Sequence, residues 1–199
     1  MNRLSGQERR SQIVEGACAI ILEKGLSGTA TRDVTRHLGV GSGLLHHYFK
    51  TWGELRAEVV KTFIHQEIAA LRQALSNCPT DRVFECFIDW MTSDPDLRFW
   101  KLWLDAIEEA RRDPDLAAIV QDGHVQWHAA IVEMLERSSE NGPLDNVHAQ
   151  HAAWRVSALF DGLMGIMTIG RAPLTKEFVK ELVSEQIDME LRRGRYKAP

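Results

Sequence analysis

The stretch from Thr29 to Lys50 holds two apolar-striped segments that are each too short to persist alone, joined by a glycine-bearing turn. Val34 and Leu38 lie one helical turn apart on the first, and Leu45 and Phe49 do the same on the second. Isolated helices of two turns are marginal in water, so each segment must bury its stripe against the other and against a further element. Gly39 is expected to take the left-handed conformation that stops the first helix, Val40 to plug the gap, and Ser42 to cap the second. Thr29 or Thr31 is expected to cap the first. The pattern is a helix-turn-helix. Its second helix leaves Ser42, Gly43, Leu44, His46, His47 and Tyr48 outward, a set of donors and ring edges suited to a DNA major groove. Arg32 in the first turn of the first helix reaches a phosphate, a guanine edge or only solvent, and Lys50 follows the second helix.

The whole chain carries a net charge of -4, which argues against a nucleic-acid partner until its distribution is read. Residues 1–52 hold seven basic and four acidic side chains, a net +3, so the remainder carries -7. Positive charge is concentrated where phosphates would be met, and the acidic remainder discourages nucleic acid from wrapping the whole body. The three cysteines, Cys18, Cys78 and Cys86, fall within apolar helical patterns and read as reduced core residues of a cytoplasmic protein. No apolar signal core stands in the first residues and no uncharged run approaches a membrane span, so neither export nor a membrane partner is expected.

Helical periodicity continues to the end of the chain, and the expected fold class is all-α. A helix from about Gln7 to Lys24 places Ile13, Val14, Ala17, Ile20 and Ile21 on one face, with Gly25 ending it. Thr51 is expected to cap a long helix from Trp52 to Asn77, too long to belong to a small DNA-binding head alone. Cys78-Pro79-Thr80 breaks the chain, and helices follow over 81–92, 96–111, 115–138, 146–169 and 175–193. Ser93-Asp94-Pro95 and Arg112-Asp113-Pro114 act as turn-and-cap signals. The polar loop 139–143 and Gly170-Arg171-Ala172-Pro173 separate the last helices. The expected domains are residues 1–52, a DNA-binding head, and residues 53–199, an effector-binding and dimerisation domain that begins with the connecting helix 53–77.

The segment Arg32-Asp-Val-Thr-Arg-His-Leu-Gly-Val40 followed by Gly43-Leu-Leu-His-His-Tyr-Phe49, with three short helices before a long one, resembles the tetracycline-repressor (TetR) family of bacterial transcriptional regulators. Ala158-Leu-Phe-Asp-Gly-Leu163 and Gly170-Arg-Ala-Pro-Leu174 are similar to the choline-responsive betaine-operon repressors within it. The resemblance implies a helix-turn-helix repressor that binds a palindromic double-stranded operator as a homodimer and is released by a small molecule. It also implies a phosphate contact for Tyr48 and a backbone contact at the first helix of the motif. Trp52-Gly53 departs from the family pattern, which commonly has a lysine or other polar residue there, so a phosphate contact at that point is expected to be missing.

Five tryptophans lie beyond residue 80. Trp90, Trp100, Trp103, Trp127 and Trp154, with Phe160, Asp161 and Met164, are the candidate lining of an effector pocket, because aromatic faces beside a carboxylate attract a cation that cannot hydrogen-bond. Core packing of a helical domain accounts for the same rings. Val156, Leu159, Phe160, Leu163 and Met167 on one terminal helix, with Phe178, Val179, Leu182 and Val183 on the next, exceed what one chain needs to bury, and they are the candidate dimer interface. His124 with His128, and His148 with His151, have helical metal-ligand spacing but no third ligand, so no metal or other cofactor is expected. Asp89, Asp105, Glu108 and Glu109 read as solvated helix faces. No nucleophile elbow or phosphate loop supports an enzyme. The competing class is a helical small-molecule-binding or catalytic protein without operator function.

Overall fold

The computed structural model describes residues 5–137, 146–170 and 174–194. Among these residues the chain is helical, with no strand: α1 Gly6–Lys24, α2 Thr31–Leu38, α3 Ser42–Tyr48, α4 Trp52–Ser76, α5 Val83–Met91, α6 Arg98–Ala110, α7 Pro114–Arg137, α8 Asn146–Thr168 and α9 Lys176–Gly194. The expected loop 139–143 and residues 171–173 lie outside the described residues.

The chain forms two compact units, divided elsewhere than at residue 52. The first takes the described residues up to Gln66 together with Arg98–Gly123, and the second takes Glu67–Leu97 and the described residues from His124 onward. The sequence divides by local pattern, whereas α6 joins the first unit by contacts made far along the chain. Asp105 accepts a hydrogen bond from the Leu26 amide at 2.9 Å, and Ser27 donates to Glu109 at 2.9 Å. Arg56 on α4 also pairs with Glu109. Asp105 and Glu109 are therefore structural partners of the α1–α2 turn, not the solvated carboxylates that the sequence suggested. Glu108 does face outward, in a fork with Arg111 and Arg112, and Asp89 pairs at the surface with Lys180 at 2.6 Å.

Within this unit α1 and α2 approach closely because residue 16 is glycine. A Cβ there would stand 2.4 Å from Leu38 Cδ2. Gly39 ends α2 at φ 64°, ψ 32°, and Val40 returns its amide to the Thr35 carbonyl at 3.0 Å, which satisfies the end of the helix as a left-handed residue allows. The helix start differs from expectation. Thr29 turns inward and donates to the Gly25 carbonyl at 2.8 Å, while the Asp33 carboxylate accepts the Ala30 amide at 3.0 Å. Asp33 thus does the capping work expected of a threonine, and Gly41 rather than Ser42 precedes α3 as its cap. Thr51 caps α4 as expected, accepting the Glu54 amide at 3.0 Å, and Glu54 reaches back to the Lys50 amide at 2.8 Å.

The second unit packs α5 and α8 against α9. Cys78 and Cys86 form a disulfide, which corrects the expectation of reduced cysteines. The break after α4 and the short 3-10 turn Thr80–Arg82 fold back to bring their Cα atoms to 6.5 Å, inside the bridging range. The expected start of α6 at Asp96 is also shifted to Arg98, since Leu97 has φ 53° and breaks the helical run. Glu190, with no exposed surface, accepts two bonds from the Arg155 guanidinium at 2.6 and 2.5 Å and one from Gln186 at 2.7 Å. The hydrogen bond from Arg155 holds its carboxyl below the usual range, against the opposing effect of burial, with His148 and Arg193 adding to the lowering.

Two measurable consequences follow from this packing. A β-branched side chain at a left-handed position costs roughly 1–2 kcal/mol, so Gly39→Val should lower the urea midpoint of the chain with little change in slope; an unchanged midpoint would show that the turn does not need this conformation. The depressed folded-state pKa of Glu190 contributes stability that is present above the ordinary carboxylate pKa and is lost as pH falls through the folded value. Glu190→Gln should therefore flatten the acid limb of the stability profile, and a variant that loses stability with the same acid slope as the parent would refute the assignment.

Candidate nucleic-acid interface

The two short helices are tied to α1 and α4 before they can present anything outward. Arg10 on α1 lies 4.5 Å over the Phe49 ring and bonds Glu58 on α4 at 2.9 Å, so one guanidinium joins three elements. Lys24 pairs with Asp33 at 2.8 Å, holding the end of α1 to the start of α2, and the bond from Lys24 is the first cause of a lowered Asp33 pKa. Leu45 and Phe49 are each 2% exposed, the inward stripe that the spacing required.

The outward face of α3 is open. Ser42, Gly43, His46 and His47 are exposed, with Leu44 and Tyr48 half-buried and Lys50 exposed just beyond. A Cβ at Gly43 would meet nothing within 4 Å, so a surface the width of a groove edge can come close to the backbone. The His47 and Tyr48 rings meet edge to face at 5.0 Å. Arg32 is exposed and Thr31 half-buried at the start of α2. Thr29, at 5% exposure and bonded inward, leaves the candidate set. Its replacement in importance is Asp33, which the sequence reading passed over, since an acidic residue in a basic segment carries no signal of capping until the Ala30 amide is seen to need an acceptor.

The candidate effector residues are split. Trp100 and Trp103 belong to the first unit, where Trp103 stacks with Phe99 at 6.4 Å and Trp100 meets Phe99 edge-on at 5.1 Å. In the second unit Trp90 and Trp127 stand 6.4 Å apart, and Phe160 meets Phe87 at 6.2 Å. Met164 is buried on the same helix as Phe160. Burial pushes the Asp161 carboxyl up to about 6. Trp154 is 56% exposed and lies against His128 at 4.7 Å, a surface position that removes it from an internal lining. His128 and His148 bond the Gln150 and Glu190 carbonyls at 3.1 and 2.8 Å. Among the described residues no group of three His, Cys, Asp or Glu side chains is placed to hold a metal ion, and no helix is long and apolar enough to cross a membrane.

The candidate dimer residues divide as well. Val156, Phe160, Val179 and Val183 are at most 1% exposed and pack inside the unit, so they are internal core and not a surface for a second copy. Leu159, Leu163, Met167 and Leu182 are half-buried, and Phe178 is 44% exposed. Ile166 and Met189 join them at 45% and 47% exposure. The sequence pattern allows one inward and one outward stripe on these helices but does not say which residues belong to which, and the expected interface includes neither Ile166 nor Met189.

A helix-turn-helix with an open recognition helix, built into an otherwise helical chain, is the head of a DNA-binding transcriptional regulator. Residues 13–59 match the model of bacterial regulatory proteins of the tetR family, and residues 79–192 match the C-terminal model of BetI-type transcriptional repressors; the chain belongs to the TetR family. It is 24% identical over 193 residues to the HTH-type transcriptional regulator PksA of Bacillus subtilis, covering 94% of this chain and 91% of that one. It is 23% identical over 188 residues to the HTH-type transcriptional regulator BetI of Proteus mirabilis, with 92% of each covered. A crystal structure of a transcriptional regulator from Saccharomonospora viridis in complex with choline has the same fold, with a TM-score of 0.80 at 19% identity over 92% of this chain and 96% of that one.

The position of Tyr48 and Lys50 at the end of α3 yields a direct check. Replacing both, as Tyr48→Phe with Lys50→Ala, is expected to weaken binding to all duplex sequences alike and, through loss of the Lys50 charge, to flatten the salt dependence by about one unit of log–log slope. His46→Ala is expected instead to change preference among sequences. Unchanged affinity and slope in the double variant would exclude this end of α3 from the DNA-binding surface.

Proposed function

We propose that this chain is a homodimeric repressor that binds a palindromic operator through Thr31, Arg32, Ser42, Gly43, Leu44, His46, His47, Tyr48 and Lys50, and that a small-molecule effector releases it. The observation that carries the reading is the open outward face of α3 on a head whose inward face is fully buried. One recognition helix spans few base pairs, and a two-fold pair reads two half-sites. The outward apolar stripe of α8 and α9, with Leu163, Ile166, Phe178, Leu182 and Met189, supports the dimer, since such a stripe matched by its own copy closes a four-helix bundle.

The aromatic groups of the second unit, Trp90 with Trp127 and Phe160 with Met164, support an effector site there, with Asp161 as the group that orients a cation. The choline in the Saccharomonospora viridis neighbour supports a quaternary amine. An effector releases DNA only by binding one head arrangement better than another. The bonds from Asp105 and Glu109 to the α1–α2 turn make α6 a second lever on the head besides α4.

The reading is tested by footprinting the promoter region beside the gene, with sedimentation of the same protein and titration with choline. Protection of a palindrome by a dimer, lost with millimolar choline, is expected. A cation favours the ionised form of Asp161, so choline should bind more weakly as pH is lowered through about 6. An Asp161→Asn variant should lose that pH dependence. Protection by a monomer would remove the dimer, and a choline response that is flat across this pH range would remove Asp161 from the site.

A further inference from the structure

We infer that Cys78 and Cys86 form a reversible oxidant-sensing site, a dithiol that a hydroperoxide closes and a small thiol opens, set against the aromatic groups of the second unit. The inference rests on the DNA-binding reading in one respect: a protein that works on chromosomal DNA meets a thiol-rich, reducing medium, where a disulfide between two cysteines is normally a transient and responsive bond rather than a permanent staple. The loop it closes is also short, with a sequence separation of 8, and a short loop constrains the unfolded chain least. Stabilising the fold is therefore the lesser thing this bond can do.

The two sulfurs are unequally placed. Cys78 is 8% exposed, whereas Cys86 is half-buried on α5. Cys86 is thus the sulfur that a small oxidant or reductant reaches. Cys78 is held ready to follow. The Arg137 guanidinium donates to the Leu75 carbonyl at 2.8 Å and to the Cys78 carbonyl at 3.2 Å, fixing the backbone on either side of the break after α4. The Cys78 sulfur lies 3.4 Å from the Arg82 carbonyl oxygen, which gives the thiol an acceptor once the bond is open.

In closure, the Cys86 thiolate attacks one oxygen of the hydroperoxide, the O–O bond breaks, and an alcohol or water leaves after taking up a proton. The Cys78 thiolate then attacks the sulfenic sulfur of Cys86, the S–S bond forms, and hydroxide leaves to become water. The two sulfurs have supplied the two electrons that the peroxide gained. In opening, a small thiolate attacks the Cys86 sulfur and expels the Cys78 thiolate, and a second small thiol releases Cys86 as that reductant becomes its own disulfide.

The consequence lies in what α5 carries. Phe87 follows Cys86 directly, has no exposed surface, and meets Phe160 at 6.2 Å. Trp90 lies one turn further on, 6.4 Å from Trp127. Tying or freeing the start of α5 therefore changes the freedom of two aromatic rings of the second unit. The same bond ends at Cys78, two residues beyond α4, which is continuous back to Trp52 after the recognition helix.

The test uses the full chain. Native protein is equilibrated in buffers of reduced and oxidised glutathione, the Cys78 and Cys86 thiols are counted by differential alkylation, and hydrogen exchange over α5 is followed in both forms. Full reduction without loss of helical circular dichroism is expected, with re-closure by one equivalent of hydrogen peroxide and about tenfold faster exchange in α5 when open. Duplex DNA from the promoter region beside the gene should bind with different affinity in the two forms, and Cys86→Ser should hold the affinity of the open form whatever the oxidant. Thiols that appear only after urea unfolding, or two forms with the same exchange in α5, would overturn the inference. Because the wild type supplies both forms, the result does not depend on the variant folding. If neither form binds that DNA, the DNA-binding reading fails, while the thiol equilibrium and the exchange still decide this one.

Discussion

Helices of eight and seven residues cannot hold their own shape, and the whole reading surface depends on the packing that holds it for them. Nucleation of a helix is costly and is repaid only over several turns, so α2 and α3 exist because Val34, Leu45 and Phe49 are removed from water almost completely. The fit has no slack at its closest point. The Leu38 side chain fills the space that a side chain on residue 16 would take, and protein interiors do not absorb an extra methyl group without strain. Once the inward stripes are fixed, the outward face of α3 is fixed as well, since successive side chains on a helix turn together.

The polar groups around this core fix the orientation of the head rather than adding much to its stability. Exposed ion pairs such as that between Lys24 and Asp33 are worth little singly. Arg10 differs in kind, because its stem and guanidinium bond an aromatic ring and a carboxylate at once and so define the angle between three elements. Asp105 does the same for the α1–α2 turn, and it does so from α6, which is nearly eighty residues away in the chain. Within the first unit the α1–α2 turn is therefore held both by the chain running on into α4 and by hydrogen bonds from α6.

The legibility of the sequence follows the range of the interactions. Local ones were readable: the apolar stripes of α2 and α3, the left-handed glycine at 39, the Thr51 cap and the outward set on the recognition helix all depend on residues within a turn or two. What depends on distant partners was not. Asp105 and Glu109 looked like solvated carboxylates because nothing near them in sequence names Leu26, Ser27 or Arg56. Cys78 and Cys86 looked like packing because helical periodicity over 81–92 conceals the fold-back through Pro79. Trp154 resembled its neighbours in a ring-rich segment, yet its position on α8 puts it at the surface.

The last two helices show how one pair of elements can serve an inner and an outer surface without confusing them. Val156, Phe160, Val179 and Val183 are buried within the unit, and the outer stripe with Ile166, Phe178 and Met189 faces away from them. A purely apolar contact would allow α8 and α9 to slide or rotate against each other at small cost, since one methyl group replaces another. The buried Glu190 carboxylate does not allow it, because a displaced α9 leaves a charge without partners in a dry environment, and that penalty is several kcal/mol. The two bonds from Arg155 on α8 therefore set the register of the pair, while Gln186, on α9 itself, only adds a partner within the helix. The outer stripe inherits that register, so the geometry of any two-fold contact made through it is already determined inside each chain.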